Sequence, residues 1–169
     1  MKNYKIIAFI LVIGFFSGCT IKYSFTGASI PQGAKSVSVA NFPDFSPSGY
    51  PTLSNTLTES LKDKFISQTS LQLVQSQGDL QFEGSIIEYK VAPMSIQAGS
   101  DVAAQNRLTI GVSVKFINTI DPEANYETKF SQYSEYESIE SLTVVQSTLV
   151  DEIVEKLVDD IFNKAVVNW

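Results

Sequence analysis

Apolar and polar residues alternate along several stretches of the chain, which is the pattern of a β-strand with one buried face. The clearest stretch runs from Leu108 to Phe116, where every even position is apolar and every odd position is polar or glycine. Alternation of this kind, or a short apolar run, predicts strands over residues 36–42, 71–74, 80–91, 108–116 and 126–136.

The third predicted strand changes its apolar register. Leu80, Phe82 and Ile86 occupy even positions, whereas Tyr89 and Val91 continue on odd ones. A β-bulge near Ile86 and Ile87 would keep one face of the strand buried throughout. In the last strand the apolar set shifts between Phe130 and Tyr133, which predicts a second bulge.

Two further segments have helical periodicity. Leu53, Leu57, Leu61 and Phe65 recur every four residues and predict a helix that opens at Pro51. From about Ser141 a second set predicts a helix of some seven turns: Leu142, Val145, Leu149, Ile153, Leu157, Ile161 and Ala165.

Strands flanked by helices indicate an α+β domain. We expect a two-layer sandwich in which two amphipathic helices pack on one face of a four- or five-stranded, mixed, mainly antiparallel sheet. The other face of the sheet would be polar and open to water or to a partner. Two loops interrupt the pattern: the proline-rich "PDFSPSGYP" of residues 43–51, and residues 92–105, whose length is typical of functional loops.

The N-terminus has the order of a bacterial secretory signal. Lys2 and Lys5 precede an uncharged run from Ile6 to Phe16, and the small residues Ser17 and Gly18 follow. The run would form about 16 Å of helix, which is too short for a hydrocarbon core about 30 Å thick. We therefore predict a cleaved signal peptide over residues 1–18, a tether and lead-in segment over 19–35, and a single domain over 36–169.

Cys19, the only cysteine, follows directly after these small residues. The sequence "FSGC" of residues 16–19 resembles the lipobox of bacterial lipoproteins, with Phe16 where that family usually has leucine. The resemblance implies cleavage before Cys19 and attachment of acyl chains such as palmitate, two or three of which hold a protein stably on a membrane. An incidental free cysteine is the alternative, and a catalytic or metal-binding thiol is less favoured because the chain has no histidine and no second cysteine.

Composition excludes several functional classes. The chain has 12 basic and 18 acidic residues, and loss of Lys2 and Lys5 with the signal would lower its net charge from −6 to −8. Such a charge argues against a nucleic-acid partner. With no histidine there is no conventional catalytic triad, and no sequence pattern indicates a phosphate loop, so we expect neither an enzyme nor a cofactor or metal site.

Two sets of acidic residues are candidates for a site. Glu83 and Glu88 would lie on the polar sheet face, but too far apart for a glycosidase pair. The acidic residues of the last helix are interpreted as a solvated outer face rather than a cation site: Asp151, Glu152, Glu155, Asp159 and Asp160.

Three basic residues are candidate contacts for an anionic ligand or a partner: Arg107, Lys115 and Lys129. Their odd positions predict that they share the polar face of the sheet. Four tyrosines, at positions 89, 126, 133 and 136, are interpreted as cross-strand pairs, with a ligand-binding surface as the less favoured alternative.

The stretches "GDLQFEGSIIEYKV" (78–91) and "NRLTIGVSVKF" (106–116), together with "SVSVANFPDFSP" (36–47) and the final acidic helix, resemble the lipopolysaccharide-assembly outer-membrane lipoproteins, LptE. The resemblance implies a non-enzymatic lipoprotein, held in the outer membrane with its domain on the periplasmic side. Such a protein plugs, and helps to assemble, the LptD-like β-barrel that inserts lipopolysaccharide into the outer leaflet. Some members are described as binding lipopolysaccharide through basic residues. The alternative is an accessory lipoprotein of another envelope secretion or lipid-transport machine.

Overall fold

The computed structural model describes residues 30–94 and 104–166. Within them lie five strands, two α-helices and one short 3₁₀ turn, Pro122–Ala124. The elements, in chain order, are β1 (Ser36–Val39), α1 (Leu53–Gln68), β2 (Gln72–Val74), β3 (Leu80–Pro93), β4 (Gln105–Asn118), β5 (Tyr126–Glu137) and α2 (Leu142–Val166). Cys19, the predicted signal peptide and most of the predicted tether lie outside the described residues.

The five strands form one mixed sheet in the order β2-β1-β3-β4-β5. β1 is parallel to both β2 and β3, whereas β3, β4 and β5 are antiparallel neighbours. The long antiparallel strands therefore form one half of the sheet, and the short parallel strands form the other. The predicted class, two helices on a mixed five-stranded sheet, is confirmed.

One face of the sheet is covered by both helices, and the core lies between these two layers. Leu53, Leu57, Leu61 and Phe65 of α1 are fully buried, as their spacing predicts. A row of aromatic rings crosses the core, with centroids 4.8 Å apart between Phe65 and Phe82 and 4.9 Å apart between Phe82 and Phe116. Tilted rings at this separation add favourable contacts to the burial of apolar area.

The bulge predicted in β3 is confirmed. The pairing of β3 with β4 shifts between Ile86 and Glu88, so that Ile87 is the extra residue. Ile86 is 0% exposed and Ile87 is 37% exposed. The bulge thus returns Tyr89 to the buried face and turns Lys90 to the open face.

The second predicted bulge is wrong. β5 pairs with β4 without interruption from Tyr126 to Glu137, so its even positions all face the helices. Two of these positions are polar and find partners on α2: Gln132 Nε2 donates to Asp160 Oδ2 and Ser134 Oγ donates to Glu152 Oε2, each at 2.6 Å. Because α2 supplies the acceptors, the strand needs no register change to keep polar groups satisfied.

Neither α1 nor α2 is long and apolar enough to cross a membrane.

Candidate functional site

The face of the sheet that neither α1 nor α2 covers is the candidate site, and we call it the open face. It is formed by the outward positions of β3, β4 and β5, which the pairing register fixes. Its side chains are mostly charged or hydroxylated: Glu83, Ser85, Glu88, Lys90, Arg107, Thr109, Ser113, Lys115, Glu127, Lys129, Ser131, Tyr133 and Glu135. Oppositely charged side chains therefore lie next to one another across neighbouring strands.

Arg107 is held by two neighbours on β5. Its Nη2 and Nε atoms donate to Glu135 Oε1 at 2.6 and 3.2 Å, and its guanidinium carbon lies 3.8 Å from the centre of the Tyr133 ring. An exposed ion pair contributes only about 0.2–1 kcal/mol, but two hydrogen bonds to one carboxylate oxygen and the contact with the Tyr133 ring hold the guanidinium in position. The charge of Arg107 is thus largely neutralised by Glu135.

Lys115 lies between two acidic positions. It is opposite Glu83 on β3 and Glu127 on β5, and its Nζ atom is 3.9 Å from Glu83 Oε2. Lys115 and Glu83 are each about half exposed, so water screens their attraction strongly. Lys115 therefore has acidic neighbours on both sides.

Lys129 has a different setting from the other two basic candidates. It is opposite Ser113 and lines a cavity of about 570 Å³ on the open face. The rest of the lining comes from the β3 bulge and from the loop before α1: Pro47, Ser48, Ile87, Glu88, Tyr89 and Lys90. The structure places all three predicted basic residues on the open face, and only Lys129 reaches the cavity.

The cavity exists because the proline-rich loop is attached to the bulge. Ile86 N–H donates to the carbonyl of Pro43, and Phe45 N–H donates to the carbonyl of Ile86, both at 2.9 Å. The loop therefore continues past β1 along the edge of β3 and leaves the Phe45 side chain exposed. Sequence analysis missed Lys90 and the loop residues, although the predicted bulge already implied that Lys90 faces outward.

The four tyrosines are not paired with one another, but Tyr126 forms a cross-strand aromatic pair with Phe116, whose ring centroid lies 5.1 Å away. Tyr133 lies on the open face against Arg107, whereas Tyr89, Tyr126 and Tyr136 face the helices. Burial raises the pKa of Tyr89, whose hydroxyl accepts from Gln146 Nε2 at 2.6 Å. Burial raises the pKa of Tyr126 as well, and its hydroxyl has no hydrogen-bond partner in the described part of the chain.

Three of the five acidic residues of α2 are exposed, as the interpretation of a solvated face expects: Asp151, Glu152 and Glu155. Asp159 also pairs with Lys64 of α1 at 2.6 Å, and Glu152 and Asp160 accept hydrogen bonds from β5. Within residues 30–94 and 104–166, no group of three or more acidic or cysteine side chains is arranged to hold a metal ion. Glu83 and Glu88 do share the open face, as expected, and are separated along β3.

One carboxylate has a structural role at the end of the sheet. Asp79 Oδ2 accepts from the backbone N–H of Lys35 and Ser36 and from Ser36 Oγ, at 2.8, 3.0 and 2.9 Å. The hydrogen bonds from Lys35 N–H and the Ser36 hydroxyl lower the pKa of Asp79. Asp79 therefore joins the start of β1 to the start of β3.

Solved structures with this arrangement share the fold at low sequence identity, which shows the fold alone. A hypothetical protein of Chlamydia trachomatis has a TM-score of 0.53 at 10% identity, covering 80% of this chain and 100% of its own. A Xanthomonas campestris protein has a TM-score of 0.52 at 10% identity, covering 83% and 90%. A minor lipoprotein of Acinetobacter baumannii has a TM-score of 0.50 at 14% identity, covering 78% and 91%.

Comparison with curated protein sequences gave no match. The sequence model of the LptE family, described as lipopolysaccharide assembly, matches residues 34–165. The match spans every strand and all but the last residue of α2, and it includes the whole open face. The chain belongs to the LptE lipopolysaccharide-assembly family.

Proposed function

We propose that the protein is a non-enzymatic outer-membrane lipoprotein that plugs, and helps to assemble, the LptD-like β-barrel that inserts lipopolysaccharide into the outer leaflet. The observation that carries the proposal is the family match over residues 34–165. The open face supports it, because a surface of charged and hydroxylated side chains suits contact with the polar interior of a barrel. Cys19 carries the acyl chains, and the domain lies on the periplasmic side.

The open face contacts the barrel rather than binding lipopolysaccharide through a basic cluster. Arg107 and Lys115 have acidic neighbours within the molecule, so little net positive charge remains beside them. Lys90 and Lys129 share their cavity with Glu88. A phosphate-rich glycolipid would need clustered donors free of acidic neighbours.

Site-specific photo-crosslinking in the cells that make the protein tests the contact. We expect a photoreactive residue at Thr109, Ser113 or Ser131 to capture one large outer-membrane protein. Matched positions on the solvent side of the helices, Asp63 and Glu155, should capture less of it. Capture from the helix positions alone would contradict the assignment of the open face.

The identity of the captured protein separates the two functional candidates. A barrel of the lipopolysaccharide-export type supports the proposal, and depletion of the protein should then lower the lipopolysaccharide at the cell surface. A channel or transporter of another envelope machine would instead support an accessory role there.

The anchor is tested by itself. Cys19→Ala should leave the fold intact and abolish labelling with radioactive palmitate. Acyl label on that variant would contradict lipidation at Cys19.

A further inference from the structure

The cavity beside Lys129 differs from the rest of the open face in its charges. Arg107 and Lys115 each have a carboxylate partner on a neighbouring strand. Lys90 and Lys129 both line the cavity, and neither forms an ion pair with a carboxylate in residues 30–94 and 104–166. Both side chains are exposed, so their ammonium groups are available to an anion from outside the molecule.

The register of the sheet brings these two lysines to opposite sides of β4. Lys90 on β3 is opposite Thr109, and Lys129 on β5 is opposite Ser113. Gly111 lies between Thr109 and Ser113 on the same face of β4, since alternate residues of a strand face the same way. Three small residues in a row therefore leave open the space between the two lysines.

Glu88 is the acidic residue of the cavity lining. It is opposite Gly111, and a Cβ atom added to Gly111 would lie 3.0 Å from Glu88 Cβ and 3.2 Å from Glu88 Oε2. The Glu88 side chain thus lies close over the backbone of β4. With two positive charges from Lys90 and Lys129 and one negative charge from Glu88, the cavity has a net charge of +1.

The wall of the cavity beside the bulge is apolar. Ile87, the extra residue of the bulge, and Pro47 both line it, and Ile87 is 37% exposed. The loop that carries Pro47 is held in place, because Ser46 N–H donates to Asp44 Oδ1 at 2.8 Å and the loop pairs with the edge of β3. A wall that is already ordered costs little conformational entropy when a ligand binds.

We propose that the cavity binds a short acidic segment of the protein that contacts the open face. One Asp or Glu side chain of the segment lies between Lys90 and Lys129, and an adjacent apolar side chain packs against Pro47 and Ile87. The volume of about 570 Å³ is within the range of about 300–1,000 Å³ that is typical of binding cavities. The inference deepens the proposed function and rests on it for the existence of a protein partner on this face.

The charge of the cavity favours a carboxylate over a phosphate group. A net charge of +1 matches one carboxylate, whose two oxygens accept charge-assisted hydrogen bonds from two ammonium groups. A phosphate monoester carries about −1.5 to −2 charges at neutral pH and would leave excess negative charge beside Glu88. A headgroup with several phosphates would exceed the charge of the cavity still further.

Binding of an acidic peptide to the purified full-length protein tests the cavity without the partner. The probe is an acetylated and amidated hexapeptide in which Glu and Leu alternate, and the matched control peptide has Gln in place of Glu. In an NMR titration, the amide signals of residues 87–90 and of Lys129 should shift with the Glu peptide. The Gln peptide should bind at least about tenfold more weakly, because it lacks the charge that the two ammonium groups recognise.

Four variants assign the binding to the cavity. Lys90→Gln and Lys129→Gln should each weaken binding of the Glu peptide about tenfold, which is the effect of losing one hydrogen bond to a charged group. Lys115→Gln makes the same change of charge elsewhere on the open face and should leave the affinity unchanged. Glu88→Gln removes the carboxylate beside the bound anion and should strengthen binding.

Photo-crosslinking in cells tests the natural partner. A photoreactive residue at Ser48, which lines the cavity, is used to capture the partner, and the captured segment is sequenced by mass spectrometry. We expect an Asp or Glu within about three residues of the crosslink, since three extended residues span about 10 Å. Lys129→Glu should lower capture from Ser48, and Lys115→Glu should not.

Three outcomes would overturn the proposal: equal binding of the Glu and Gln peptides, unchanged affinity in both lysine variants, or a captured segment without an acidic residue. Displacement of the Glu peptide by inorganic phosphate, or by vesicles of anionic phospholipid, at lower concentration than by free glutamate would assign the cavity to a phosphate group instead. The peptide titration does not involve the barrel. Capture of the barrel from Thr109 without binding of the Glu peptide would therefore contradict this inference alone and leave the proposed function in place.

Discussion

The two faces of the sheet differ in the kind of side chain that forms them. The helix-covered face is built from side chains that exclude water, such as Phe82, Ile86 and Phe116. The open face is built from charges that meet one another across strands, such as Arg107 with Glu135. Burial of apolar area contributes far more to the free energy of unfolding than exposed ion pairs do. The covered face therefore holds the fold together, and the open face is available for binding.

The largest effect is expected from a substitution in the row of aromatic rings on the covered face. Phe82→Ala removes a fully buried ring that contacts Phe65 and Phe116, and we expect it to lower the free energy of unfolding by about 3–5 kcal/mol. Glu83→Ala, the next residue along the strand, lies on the open face and should change it by less than about 0.5 kcal/mol. Urea unfolding of the two variants measures the difference, and a cost below about 1 kcal/mol for Phe82→Ala would contradict the described core.

The bulge offers a sharper comparison between adjacent residues. Ile86→Ala should cost about 2–4 kcal/mol because Ile86 is fully buried, whereas Ile87→Ala should cost less than about 1 kcal/mol because its side chain points outward. If the register shift came before Ile86 instead of after it, the two residues would exchange faces. A larger cost at Ile87 than at Ile86, measured by the same unfolding curves, would place the register shift elsewhere.

A buried polar atom on the covered face gives a prediction of opposite sign. The Tyr126 hydroxyl is buried without a hydrogen-bond partner in the described part of the chain, so Tyr126→Phe should raise the free energy of unfolding by about 1 kcal/mol. Destabilisation by this variant at neutral pH would show that the hydroxyl has a partner.

Tyr126 also makes the free energy of unfolding depend on pH in the alkaline range. Burial raises the pKa of Tyr126, so above about pH 10 the unfolded chain loses the phenolic proton before the folded chain does. Stability from this group is therefore present below about pH 10 and falls above it, by up to about 1.4 kcal/mol per pH unit. Tyr126→Phe should make the free energy of unfolding depend less steeply on pH between pH 9 and 11. The variant should keep the smaller pH dependence that comes from Tyr89, whose pKa is also raised by burial.

The smallest expected effect on stability is on the open face. Arg107→Ala removes one exposed ion pair and its contact with Tyr133, and should cost less than about 1 kcal/mol. In the cross-linking experiment the same variant should lower capture of the partner from Thr109. If Arg107→Ala unfolded the protein, the open face would also be required for the stability of the fold.

Strand alternation and helical spacing were sufficient to predict most of the fold. Residues 108–116 form the centre of β4 with the expected face buried, because a period of two leaves only one way to bury five apolar side chains. The bulge in β3 was predictable for the same reason. The position of the three basic candidates on the open face followed from their odd numbering.

Other features could not be predicted because their causes lie far along the chain. Gln132 and Ser134 face the helices since Asp160 and Glu152 of α2 accept their hydrogen bonds, and a strand pattern alone does not show such partners. The cavity beside Lys129 depends on a loop that pairs with β3 some forty residues later in the sequence. Arg107 and Tyr133 stack only because the register of β4 and β5 brings them together.

The sequence by itself determined the elements, the buried face of each and the α+β class, because apolar periodicity is a local property of the chain. It also carried the family resemblance and the prediction that Cys19 is an anchor. Only the tertiary structure decided which charges neutralise one another, where the cavity lies and which strand forms the long edge of the sheet. Those features depend on pairing between distant segments, and pairing is fixed only when the whole core packs.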